Sequence, residues 1–344
     1  MSQLQVNRIN DASGGVLAPI SSVMRNRIIN GGMDIAQRGT SFTSGANNND
    51  AYVLDRFYIL SDGNDAIDVT QTTTVPTGAK FSIGLDVETT NKKFGIAQII
   101  ENANCFDAIG GQVTLSFQAK VSSTAKLDNV KCAIVAWSGT ADTVTSDIIS
   151  AWGAEGTNPT LIANATYENS PANLNVTTSF ATYSVTANVD TASTSNIIVF
   201  IWSDVTDTTA GDFLYITNVQ LEKGTQATSF EYRQYTTELQ LCQRYFWKPS
   251  QGFLMQGISS ARIGTNVFFP VTMRATPTMS IATTTPYWES VPYATLGSIT
   301  SAVADGSKLA SAGGVISVTG TFGTTPVQNY PGFFGGETAF SVEL

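Results

Sequence analysis

The sequence predicts an all-β protein: a jelly-roll β-sandwich with a short N-terminal arm, a short linker helix and a second, smaller β domain. Three observations predict it. Several runs alternate strictly between apolar and polar residues, as strands with one buried face do. Only 13% of the 344 residues are charged while 42% are hydrophobic, so the wet faces draw their polarity from Thr, Ser, Asn and Gln, which suits strands. Gly-, Asn- and Asp-rich gaps separate the runs and supply turn chemistry.

Residues 1–26 read as the arm. Leu4, Val6, Ile9, Val16, Leu17 and Ile20 are interrupted by Asp11, Ser13, Gly14, Gly15 and Pro19, so the segment cannot bury its own apolar surface and needs a partner. Residues 27–248 read as the sandwich. "FSIGLDV" places Phe81, Ile83, Leu85 and Val87 on one face, "VTLSFQA" does the same with Val113, Leu115, Phe117 and Ala119, and "YSVTANV" with Tyr183, Val185, Ala187 and Val189. "IIVFIW" (197–202) is apolar throughout and reads as a central strand, with Trp202 in the core. "TSGANNND" (43–50) and "SDGND" (61–65) are loops.

Residues 235–246 form the best helix candidate, with Thr236 as cap, Glu238 in the first turn, and Leu239, Cys242 and Phe246 on one face. Pro249 stops it. Beyond it, residues 249–344 hold "GFLMQGI", "NVFFPVTM", "TMSIA" and "GVISVTG", the strands of the small β domain. A chain cut after the helix is expected to keep a folded sandwich, because the helix seals it. No fixed-period repeat points to a β-helix.

Composition excludes several functions. There is no histidine, which removes the Ser-His-Asp triad, a His-assisted cysteine and a His-containing zinc site. Cys105, Cys132 and Cys242 lack CxxC spacing and read as reduced core residues. The net charge is −9, with 13 Lys/Arg against 23 Asp/Glu in residues 1–240 and 5 against 4 in residues 241–344. No segment clusters bases with aromatics, so nucleic acid is not an expected partner. "MSQLQVNRIN" lacks the apolar core of a signal peptide, and no run approaches a membrane span, so no membrane insertion is expected and folding in a cytoplasm is.

Several segments carry a resemblance in their order: "RIINGGMDIAQRGTSF" (27–42), "YVLDRF" (52–57), "IAQIIENANCFDAIGGQVTLSFQAKVSS" (96–123), "TSFATYSVTANV" (178–189) and "YITNVQLEKGTQATSFEYRQYTTELQLCQRYF" (215–246). Together they resemble tailed-phage virion appendage proteins, especially tail or neck fibres of marine cyanophages, over roughly residues 1–250. Phe57 departs from the pattern, where relatives often carry Trp. The resemblance implies a carbohydrate-binding-module-like jelly roll, a homotrimeric fibre, and a non-enzymatic virion structural protein that attaches to a host-surface glycan. The arm, residues 1–26, would then meet other virion proteins. The alternatives are a purely architectural head, neck or collar decoration protein without ligand, and a polysaccharide depolymerase.

Glycan binding calls for exposed aromatics that cover apolar C–H patches of a pyranose. Trp137, Trp152 and Tyr167 in the first domain, and Tyr287 and Trp288 in the second, are the candidates. Replacing Trp152 or Trp288 by Ala is accordingly expected to weaken binding without lowering the melting temperature. No catalytic residue is expected: Asp62, Asp65, Asp68, Asp204 and Asp212 could supply a hydrolytic carboxylate pair, but no spacing singles one out. No cofactor is expected; calcium is the one option, on the oxygens of "SDGND". The charged cluster at Glu222, Glu231 and Arg233 reads as a joint between domains rather than an active site, and Asp55–Arg56 as a buried corner.

Overall fold

The computed structural model describes the backbone at residues 9–10, 16–18, 24–250, 252–290, 295–322 and 331–344, and side chains at 24–250, 252–281, 305–320, 334 and 338–344. Two antiparallel sheets form the sandwich. The six-stranded sheet runs Ala181–Asn188, Gln112–Val121, Phe213–Lys223, Ser82–Val87, Ile67–Thr72, Ser41–Phe42; the five-stranded sheet runs Ala165–Tyr167, Val130–Trp137, Asn196–Ser203, Phe94–Ile100, Tyr58–Ser61. From Phe94 onward the long strands alternate between the two sheets, which is the jelly-roll habit. Leu115, Phe117 and Leu85 from one sheet meet Ile96, Ile134 and Val199 from the other in the main core.

The apolar run at 197–202 is central, paired on both sides and buried along its whole length. Its outward residues stay dry because residues 138–175 fold over the five-stranded sheet. Val144, Ile148, Ile149 and half-buried Trp152 from this lid pack on Phe200, Trp202 and Tyr58. The two cores therefore lie on opposite faces of one sheet, and a strand buried on both faces loses its alternation. All three cysteines are free and buried, and burial pushes the Cys105 and Cys132 thiols up to about 12.

The helix spans Tyr235–Gln243, shorter than the sequence suggests. Gln234, not Thr236, sits at its N-cap, without a side-chain cap bond. Glu238 turns inward instead, accepting from the Asn30 amide and pairing with Arg233 at 3.1 Å. Phe246 leaves the helix and, with Trp247, pairs with the strand Pro331–Ser341.

The C-terminal strands close on themselves. Pro331–Ser341 pairs with Phe253–Ser259 and with Thr278–Ser290. The ring continues through Arg262–Phe268, Gly313–Phe322 and Thr295–Ala310 back to Thr278–Ser290. Six antiparallel strands thus form a small barrel around Met255, Ile263, Ile316, Val318, Phe334 and Phe340, and closure removes unpaired edges.

Two corrections concern the N-terminal arm. Ile9–Asn10 and Val16–Ala18 pair as an antiparallel hairpin, so the arm does engage itself through its backbone. Its last residues, Met24 to Asn26, belong to the sandwich: Glu231 accepts the Met24 and Asn26 amides at 2.7 and 2.8 Å, and the buried Asn26 side chain donates to the Val219 carbonyl. Gly31 explains how closely these segments approach, since a Cβ there would stand 2.0 Å from the Val219 oxygen.

Candidate functional site

The site begins with the joint. After the strand Phe213–Lys223 the chain doubles back across the outer face of the six-stranded sheet. Thr228 donates to Glu222, the Glu231 amide donates to Gln220, and the Tyr232 hydroxyl reaches the Gly78 carbonyl. Arg233 donates to the carbonyls of Asn26 and Ile28. Each charge is used on backbone or on another charge, as a structural joint requires. The crossing also buries Thr114, Ser116, Gln220 and Glu222, so one half of this face is not the wet surface that alternation suggests.

The other half is open. Its floor consists of outward positions on adjacent strands: Thr182 and Ser184, Gln118 and Lys120, Phe213 and Tyr215, Gly84 and Asp86, Asp68 and Thr70. Phe213 and Tyr215 stack with centroids 5.3 Å apart and planes within 8°. Tyr215 leans over Gly84, where a Cβ would stand 3.4 Å from its Cε1 and 3.2 Å from Thr70 Oγ1. The glycine therefore leaves room for the ring. The Lys120 ammonium lies 5.0 Å from the Tyr215 centroid and 5.4 Å from that of Phe180, within cation–π range.

A bulge between Thr217 and Gln220 inserts the extra residue Asn218, at φ 53°, a conformation that Asn tolerates. Its amide donates to Gln118 Oε1 at 2.6 Å. Beside it, where the crossing segment ends, a cleft of about 220 Å³ is lined by Ser116, Gln118, Thr182, Asn218, Thr228 and Phe230 among others. Gln118 and Thr182 belong to both cleft and platform. On the far side of the rings Asp68 and Asp86 face each other across the strands. Burial first, then Glu88, holds both carboxyls above the usual range. The arrangement offers ring faces, hydroxyls, amides, a cation and two carboxyls on a rigid sheet.

The aromatics expected from sequence lie elsewhere. Trp137 is 8% exposed, its Nε1 donating to the Thr140 carbonyl at 3.0 Å. Trp152 is half-buried, edge-on to Phe200 with centroids 6.0 Å apart. Tyr167 is half-buried and donates to the Pro159 carbonyl. These three pack the lid rather than a ligand, because the five-stranded sheet needs both faces covered. Trp152→Ala would therefore unpack a core, contrary to the expected neutrality for stability. Tyr287 and Trp288 lie in the strand Thr278–Ser290, opposite Ser298 and Gly297; their side chains fall outside the described residues.

The remaining candidate acids are dispersed. Asp204 is buried between Lys93 and Lys131, Asp62 pairs with Lys92, and Asp65 shares the Asn47 amide with Asp68. Among the described residues no three Cys, Asp or Glu converge as a metal site. Asp55 and Arg56 do not pair with each other: Asp55 accepts from Gln37, while Arg56 reaches Glu343 and the Ile99 carbonyl. Among the described residues no helix is long and apolar enough to cross a membrane.

No family model and no curated protein sequence matches the chain. Solved structures overlap parts of it. The enzymatically active domain of tailspike protein 4 from bacteriophage CBA120 is 18% identical with a TM-score of 0.34, covering 58% of this chain and 22% of that one. TmCBM61, solved with β-1,4-galactotriose, is 14% identical with a TM-score of 0.30, covering 58% of this chain and 99% of that one. The CBM22-1 xylan-binding domain of Paenibacillus barcinonensis Xyn10C is 12% identical with a TM-score of 0.29, covering 49% of this chain and 87% of that one.

Proposed function

We propose that this chain is a non-enzymatic subunit of a tailed-phage virion appendage, and that the open half of its six-stranded sheet holds a host-surface glycan. The observation that carries the reading is the stacked Phe213–Tyr215 pair at outward positions of a strand whose inward side, Leu214 and Ile216, already fills the core. The fold has no packing use for rings on that side, whereas a pyranose presents C–H faces for rings and hydroxyls for the flanking amides, hydroxyls and carboxyls. The virion assignment rests on the ordered segments between residues 27 and 246. Binding of the full chain to a glycan array, followed by titration of the best ligand, tests the site. Tyr215→Ala is expected to weaken that ligand about tenfold, as loss of one aromatic contact does, with little change in melting temperature. Equal affinity in wild type and variant would remove the face from consideration.

The hairpin before Met24 is the proposed contact to other virion proteins, and the assembly is proposed to be a homotrimer. Leu254, Ile258, Phe268 and Val315 stand exposed on the barrel, an apolar patch that association would cover. Light scattering should give three chains per particle, and a chain beginning at Met24 should fold but fail to enter virions. A stable monomer, or normal incorporation of the shortened chain, overturns the respective half. The opposed carboxyls Asp68 and Asp86 favour a second reading, polysaccharide hydrolysis, which release of reducing sugar from host polysaccharide would establish.

A further inference from the structure

We infer that the glycan taken by this face is anionic, with a carboxylate or sulfate of the sugar seated on Lys120; the inference rests on the glycan reading of the open half-sheet. Lys92, Lys93, Lys126 and Lys131 each pair with a carboxylate, at 3.8, 2.5, 3.0 and 2.7 Å, while Lys223 donates to the Asp107 carbonyl and Lys80 lies over the single ring of Phe81. Lys120 has no carboxylate among the described residues within ion-pair distance; its contacts are the rings of Phe180 and Tyr215. Two rings fix the ammonium in place while using none of its three N–H donors. A cation held this way, half-exposed on a face with its donors free, is complementary to a single anionic group on a ligand lying over Tyr215.

The acids on the same face set the orientation. Asp86 lies opposite Phe213 on the strand Ser82–Val87, whereas Lys120 lies opposite Tyr215 on the strand Gln112–Val121. The aromatic strand therefore separates a positive side from a negative one. An anionic group is attracted to the Gln118–Lys120 side and repelled from the Asp68–Asp86 side, where only hydroxyls can be accommodated. The chain's overall charge of −9 argues against diffuse capture of polyanions, so binding of one has to come from a local arrangement such as this.

The test compares the full chain on polygalacturonate, dextran sulfate and neutral dextran, and on the best array ligand. Wild type should bind one of the two anionic polymers and not dextran, more weakly as salt rises. Lys120→Gln should weaken that binding about tenfold to a hundredfold, the scale of a hydrogen bond to a charged group, at unchanged melting temperature. Lys126→Gln, which removes an exposed lysine paired elsewhere with Asp207, should leave it intact. Preference between the two polymers tells a sugar carboxylate from a sulfate ester. Binding of a neutral glycan that Tyr215→Ala abolishes and Lys120→Gln leaves unchanged overturns the anionic inference and keeps the face. Binding unaffected by either substitution overturns both.

Discussion

Asp204→Asn is expected to destabilise the protein by about 3–5 kcal/mol, the cost of leaving buried charges without their partner. Asp204 is fully buried and its two carboxylate oxygens take Lys93 at 2.5 Å and Lys131 at 2.7 Å, both lysines themselves buried. Neither ammonium can turn to water. Lys93 also donates to the carbonyls of Ala154 and Thr157, Lys131 donates to Asn158 Oδ1, and the Gly156 amide donates to Asp204. The triad thus bolts residues 154–158 of the lid to the five-stranded sheet. Removing the carboxylate charge leaves two cations side by side in a dry site, and the available relief is to lift the lid, wetting Trp152, Phe200 and Trp202. A typical domain has only about 5–15 kcal/mol of stability in total. Urea denaturation should show a lower midpoint, and tryptophan emission should shift to the red before the main transition. Lys93→Met in the Asp204→Asn background should recover part of the loss by removing one stranded charge. A midpoint shift worth under about 1 kcal/mol, the scale of an exposed pair, would show that the triad is solvated and not structural.

The sandwich was legible where one face is wet and one dry. Val113, Leu115, Phe117 and Ala119 point inward as their alternation demands, and so do Ile83, Leu85 and Val87. The run at 197–202 announced a central strand by having no alternation at all. What sequence could not supply is what covers an outer face. Trp137 ends the strand Val130–Trp137, Trp152 and Tyr167 sit in a Thr-, Ala- and Asn-rich insertion that reads as loop, and only the tertiary fold shows that insertion folding back as a lid over all three. The Thr295–Ala310 strand was likewise illegible, because "TLGSITSAVADGSKLA" offers small residues where strands usually carry aromatic or β-branched ones. Barrel closure, rather than propensity, holds it extended.

The open face did leave a signal. In "FLYIT", residues 213–217, Leu214 and Ile216 are the inward pair, so Phe213 and Tyr215 occupy positions that solvation would fill with Thr or Ser, as at Thr182 and Ser184 across the sheet. The joint at Glu222–Glu231 gave the converse lesson: a dense charged cluster in a chain with few charged residues satisfied backbone groups where three segments cross.

Cutting the chain after Pro249 is expected to unfold the sandwich rather than release it intact, the reverse of what a sealing helix implies. The reason is Glu343. Arg56 is 1% exposed, its guanidinium 3.7 Å from the Tyr245 ring centroid, and Glu343 is its carboxylate partner. The same carboxylate takes Arg38 at 3.1 Å, and Arg38 lies 3.6 Å from the Phe246 centroid. Next to it Leu344 is buried in the lid core and its carbonyl accepts the Tyr52 hydroxyl. Glu343 and Leu344, just beyond the barrel's final strand, are therefore part of the sandwich, and the strand pairing at Phe246–Trp247 ties the helix end to the same place. Losing residues 250–344 strands a buried guanidinium, opens the Leu344 site and unpairs Trp247 together. Glu343→Gln isolates the charge alone and should cost about 3–5 kcal/mol by the same reasoning as for any buried pair broken on one side. Arg56→Met in that background should return much of it, since an apolar pair of similar volume avoids the desolvation cost. In calorimetry the intact chain should melt with sandwich and barrel coupled, Glu343→Gln should lower the transition, and the 24–249 fragment should show no cooperative transition at the wild-type temperature. A fragment that melts as the intact sandwich does would mean that the arginines reach water once the barrel is gone, and that the two units are joined without depending on each other.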